Sequence, residues 1–129
     1  MPTWNELRAY ASTQYQMEKV EDDWFSILWT MGEDRTQRIL VSRYEAFEKE
    51  WVAYRSFVCK ESELSPRVAL RHNAELALGA LALDEDGDYV LTYQAPLATL
   101  DQEEFTLPLA AIAGTADDLE KTYTARDDY

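Results

Sequence analysis

The sequence has one histidine, His72, one cysteine, Cys59, four glycines, and only 12 basic residues against 25 acidic ones in a chain of 129. Each scarcity removes a class of function. A lone cysteine cannot close an internal disulfide, which fits a reducing compartment. A lone histidine with no serine or aspartate in a recognised arrangement leaves no catalytic triad, and there is no Gly-x-Ser-x-Gly elbow. Gly32, Gly79, Gly87 and Gly114 are scattered, so none builds a phosphate-cradling loop. No window approaches the ~18 apolar residues of a membrane span, and the opening "MPTWNELRAY" lacks the basic region and apolar run of a signal peptide. The expectation is a cytoplasmic protein that is not an enzyme and carries no cofactor or metal.

What is present is a core. Apolar residues make up 47% and aromatics 12%, with tryptophan at positions 4, 24, 29 and 51, enough for one globular domain spanning 1–129. The net charge of −13 is uneven: residues 1–71 carry 10 basic and 12 acidic side chains, residues 72–129 only 2 and 13. Such a surface repels phosphate backbones and anionic lipid, which argues against nucleic-acid or membrane partners. It serves solubility, and it leaves open an alternative: a small immunity or inhibitor protein that meets a basic partner through its acidic C-terminal half.

Local signals order the elements. "TWNE" is a capping box on Thr3 and Glu6, opening a helix expected to run to about Val20 with Trp4, Leu7, Ala11 and Tyr15 on one stripe. "DDWFSILWTM" alternates as a strand, with Phe25, Ile27, Trp29 and Met31 on one face and Trp24, Ser26, Leu28 and Thr30 on the other. After a "GEDR" turn, "TQRILVSRY" and "WVAYRSFVC" read as strands, with "EAFEKE" between them as a loop. Ser65 and Pro66 open a second helix that Gly79 ends. A hairpin follows, then a capping box on Thr99 and Gln102. Pro108 predicts a short turn near 100–106 and a final helix from Pro108, with the tail 124–129 frayed. The order α-β-β-β-α-β-β-α makes an α+β domain on an antiparallel sheet.

The acidic run "LDEDGDY" invites a calcium loop, but with Gly87 at position 6 of an EF-hand, positions 1 and 12 are Ala82 and Tyr93. A hairpin closed at Asp86-Gly87 accounts for it better. His72 lies beside the stripe of Val68 and Leu76 and has no partner residues of a catalytic kind. Cys59 sits among apolar neighbours without the base a reactive thiol needs. Sequence-adjacent acidic pairs such as Asp117/Asp118 point to different sides of an element and read as solvated surface.

Counted through a two-residue turn, the hairpin sets Leu81, Leu83, Val90 and Thr92 on one side and Ala80, Ala82, Tyr89, Leu91 and Tyr93 on the other. Both sides are apolar, so the second needs a cover: a helix of the same chain, a twin subunit or a bound peptide. Trp24, Leu28, Tyr89, Leu91 and Tyr93 are thus the candidate partner-binding or dimer-interface residues.

The run "LRHNAELALGALALDEDGDYVLTYQAPLATLDQEEF" with "LAAIAGTADDLEKTY" resembles the YbjN-like and type III secretion chaperone-like domains, through Asn73, Gly79, Asp86-Gly87, Ala116-Asp117 and Glu120, with the three upstream strands in place. Pro108 departs from the pattern, since it falls where the family has one longer final helix. The resemblance implies a chaperone-like α+β fold, a homodimer, and non-catalytic binding of an extended or partly unfolded protein or peptide client.

Overall fold

A computed structural model describes residues 3–32 and 34–124. The order is α1 (Trp4–Gln14), β1 (Met17–Val20), β2 (Trp24–Thr30), β3 (Thr36–Ala46), β4 (Lys49–Lys60), a 3₁₀ turn (Glu61–Glu63), α2 (Pro66–Glu75), β5 (Ala80–Leu83), β6 (Asp88–Pro96) and α3 (Gln102–Thr124). All six strands form one antiparallel sheet in the order β1-β2-β3-β4-β6-β5. The α+β class holds, with one more strand than the sequence signals. Of the tail 124–129 expected to fray, Thr124 is the last residue of α3, and 125–129 lie outside the described residues.

One face of the sheet is sealed. Phe25, Ile27, Ile39, Val41, Val52, Tyr54 and Leu91 are fully buried beneath α1 and α3, which supply Trp4, Leu7, Ala11, Phe105, Leu109 and Ile112. Trp4 stacks on Phe25 at 5.3 Å between ring centroids while its indole N–H donates to the Asp22 carbonyl at 2.8 Å, so the ring is buried without stranding its polar atom. Gly79 has φ +84°, and a Cβ there would stand 2.9 Å from Ile112 Cδ1, so the approach of β5 to α3 requires glycine.

Four elements differ from their sequence signals. Helix α1 stops at Gln14, because Tyr15 turns extended and Met17–Val20 pair with β2 as an edge strand. Helix α2 ends at Glu75, well before Gly79. The "EAFEKE" segment is strand on both sides of a two-residue turn, since Ala46 pairs with Lys49. Helix α3 starts at Gln102 and runs straight through Pro108. Its cap is Asp101, which accepts from the Glu104 amide at 2.7 Å while Glu104 returns the bond to the Asp101 amide, in place of Thr99 and Gln102. Burial of Phe105, Leu109 and Ile112 on one stripe outweighs the hydrogen bond that Pro108 cannot make, and the Tyr54 hydroxyl donates to the Phe105 carbonyl at 3.2 Å beside it.

The acidic pair Asp117/Asp118 is not simply solvated. Asp117 is buried with Glu120, and Arg35 at the β2–β3 connection holds both, at 2.8 and 3.2 Å. Lys121 adds a longer contact to Asp117. These carboxylates tie α3 to the sheet, because a buried charge is tolerated only when paired.

Candidate functional site: the open face of the sheet

The register of the β5–β6 hairpin decides which residues face out. Leu81 pairs with Leu91 and Leu83 with Tyr89, one residue off the two-residue count. The turn is Asp84–Gly87, closed by the Gly87 amide to the Asp84 carbonyl at 3.2 Å and the Asp84 amide to the Asp88 carbonyl at 2.9 Å, with Gly87 at φ +81°. The Asp84 carboxylate accepts from the amides of Asp86 and Asp88 at 3.0 and 2.9 Å, so it stabilises the loop directly. Leu81, Leu83, Tyr89, Leu91 and Tyr93 therefore share the helix-covered face, while Ala80, Ala82, Val90 and Thr92 lie on the other.

This places Tyr89, Leu91 and Tyr93 on the side opposite to Trp24 and Leu28, and it removes Tyr89 and Leu91 as exposed candidates. Leu91 is fully buried and Tyr89 is 3% exposed, so both belong to the interior layer, while Tyr93 stays half-exposed on the same helix-covered side, against Tyr54 at 5.7 Å. Trp24 and Leu28 are half-buried on the opposite face, where they pair with Ser42 and Arg38.

Among the described residues no helix covers that opposite face. Across β3, β4 and β6 it forms a groove of about 580 Å³ lined by Tyr44, Phe47, Trp51, Arg55, Val90 and Thr92. Tyr44 and Trp51 stack at 6.4 Å and 18° between planes, and the Trp51 indole donates to the Ala46 carbonyl at 2.9 Å. At the tip of the β3–β4 hairpin both turn residues, Phe47 (φ 53°) and Glu48 (φ 62°), occupy the left-handed region. A two-residue hairpin turn demands that conformation, but the residues suited to it are Asn and Gly. A bulky side chain there is strained, and strain of this kind concentrates where a protein binds. Phe47 is 89% exposed.

Towards β1 the same face narrows into a second depression of about 540 Å³ beside Trp24, Ser26 and Leu40. Here Arg38 holds Glu18 in a double hydrogen bond, which keeps the Glu18 carboxyl below the ordinary carboxylate range. Tyr44, Phe47, Trp51 and Arg55 are not among the candidates read from the sequence: "EAFEKE" carries neither glycine nor asparagine, so it conceals the turn that brings Tyr44 and Trp51 together.

Neither polar residue singled out for chemistry lies on this face. His72 bonds through Nε2 to the Tyr123 hydroxyl and joins α2 to α3. Cys59 is buried, and burial, with Glu63, Asp88 and Glu120 nearby, pushes its thiol up to about 11. It is held as the unreactive neutral form. Among the described residues no group of three or more His, Cys, Asp and Glu is placed to hold a metal ion, and no helix is long and apolar enough to cross a membrane.

No family model matches the chain, and neither does any curated protein. Solved structures do. A chain of the HopA1-SchA chaperone-effector complex superposes with a TM-score of 0.62 at 14% identity, covering 88% of this chain and 87% of that one. A chain of the heterodimeric ExoU-SpcU complex from the type III secretion system of Pseudomonas aeruginosa gives 0.61 at 14% identity, over 90% and 95%. The likeness is one of fold: an α+β domain with a six-stranded antiparallel sheet and three helices, as expected of a type III secretion chaperone-like chain.

Proposed function

We propose that this protein is a non-catalytic, chaperone-like adaptor that holds an extended or partly unfolded segment of a client protein on the open face of its sheet, acting in the cytoplasm as a homodimer. The observation that carries the reading is the uncovered aromatic groove. A sheet whose one face is sealed by helices keeps Trp24, Tyr44 and Trp51 half-exposed and Phe47 almost fully exposed on the other. Tyrosine and tryptophan give large contact area with a polar tip that tolerates water when no partner is bound. The fold neighbours, one from a complex described as chaperone-effector, support the reading, and so does the YbjN-like and type III secretion chaperone-like resemblance of the sequence.

The sheet edges suit a client less well. Strand β1 has four residues and a register break, and the outward main-chain groups of Leu81 on β5 are taken by Asn73. Binding on the face, through side chains, is therefore favoured over strand addition. The charge-driven alternative draws less support, since Asp84, Asp101, Glu104, Asp117 and Glu120 all serve loops, caps or the interior.

The test is fluorescence anisotropy with a permanently unfolded protein, reduced and carboxymethylated α-lactalbumin, as probe. Binding by the wild type and a loss of about tenfold or more in a Tyr44→Asp/Phe47→Asp variant of unchanged fold are expected. Equal binding by the variant, or none by the wild type, contradicts the reading. Sedimentation velocity measures the dimer.

A further inference from the structure

Three arginines lie on the long strands of this strongly acidic chain, and two are neutralised: Arg38 by Glu18, and Arg43 by Asp23 at 2.9 Å with Glu50 at 3.6 Å. Arg55 is not. It is exposed at the middle of β4 on the open face, and among the described residues no carboxylate stands within ion-pair distance of it. Its setting explains why. Its cross-strand partners are Leu40 and Thr92, and its same-face neighbours along β4 are Ala53 and Phe57, all uncharged. Arg55 thus lines a groove whose walls carry Tyr44, Phe47 and Trp51 beside the uncharged polar side chains of Thr92 and Gln94.

We propose that the groove is selective for a client segment that carries one carboxylate between apolar side chains, with Arg55 as the anchor for that carboxylate. The inference rests on the open face being the client site and adds the chemistry of what it takes. Charge complementarity carries it: arginine presents a planar fork of donors that matches a carboxylate with two parallel hydrogen bonds, and the pair strengthens as the apolar walls exclude water around it. The net charge of −13 repels a strongly acidic chain at long range, which restricts the favoured segment to a single acidic residue in apolar company. An apolar segment with no charge leaves the guanidinium desolvated and unpaired, and is disfavoured for that reason.

The experiment is selection of random dodecapeptides displayed on phage, against the wild type and against Arg55→Gln and Arg55→Glu, with circular dichroism to confirm that each variant is folded. Wild-type selection is expected to enrich one Asp or Glu flanked by apolar residues. Arg55→Gln is expected to lose that preference, Arg55→Glu to replace it with Lys or Arg, and a selected acidic peptide to bind Arg55→Glu about tenfold or more weakly. Peptides that need Tyr44 and Phe47 but show no acidic preference overturn the arginine anchor and leave the client-binding reading standing. Failure to enrich any peptide dependent on Tyr44 and Phe47 overturns both. An Arg55-dependent affinity for a labelled single-stranded oligonucleotide in place of acidic peptides also overturns the inference.

Discussion

The side-chain amide of Asn73 on α2 takes both main-chain groups of Leu81 on edge strand β5, donating to its carbonyl at 3.1 Å and accepting from its amide at 2.7 Å. One side chain thereby fixes the helix to the sheet and closes the middle of an edge that would otherwise template a further strand. Asn73→Ala is expected to lower unfolding free energy by about 1–3 kcal/mol, the cost of stranding partly buried polar groups. Urea titration measures this, and native-state hydrogen exchange at the Leu81 amide should accelerate with it. An unchanged midpoint and unchanged exchange would show that water replaces the amide without cost.

The strained hairpin tip sets stability against binding. Replacing Phe47-Glu48 by Asn-Gly supplies the residues that a turn of two left-handed positions favours, and should raise stability by about 1–2 kcal/mol. The same change removes the most exposed aromatic ring, so binding of an unfolded probe should fall while the urea midpoint rises. A variant both more stable and equally competent in binding would show that Phe47 has no part in the site.

The two faces of the sheet respond oppositely to charge. Leu91→Asp puts a carboxylate at a fully buried position and is expected to leave no folded population near neutral pH. Leu28→Asp lies on the open face and should cost about 1 kcal/mol or less. Thermal unfolding followed by circular dichroism separates the two, and a folded Leu91→Asp would contradict the register that buries Leu91.

Cys59 gives the fold an alkaline weakness. Burial raises its thiol, so the folded chain retains a proton that the unfolded chain releases above about 8.5. The stability tied to the neutral thiol is complete below that pH and is lost as pH rises towards about 11. Burial shifts the hydroxyls of Tyr54 and Tyr89 upward too, adding a loss in the same direction at higher pH. Urea midpoints at about pH 8 and about pH 10.5 should fall less for Cys59→Ala than for the wild type, and equal falls would place the weakness elsewhere.

The class of fold was legible because alternation in β2, the Ser65-Pro66 helix start and the apolar stripe of α3 each act over a few residues. The site was mostly hidden. A one-residue shift at the Asp84–Gly87 turn regroups a hairpin's faces: it joins Leu81 and Leu83 to Leu91 instead of Val90, and so takes Leu91 out of the candidate interface. Pro108 and "EAFEKE" misled for a shared reason: tertiary packing overrode a local signal, through the buried stripe around Phe105 in one case and long-range strand pairing in the other. Arg55 has no sequence signature at all, since its isolation from carboxylates exists only across strands.

The claim that the open face is the client site is tested most directly by nuclear magnetic resonance of the isotope-labelled protein titrated with reduced, carboxymethylated α-lactalbumin. Chemical-shift changes are predicted at Tyr44, Phe47, Trp51, Arg55 and Thr92, extending towards Trp24 and Leu28, with α3 unaffected. Changes confined to α2 and α3, or a titration that moves no resonance of β3, β4 or β6, would contradict the account.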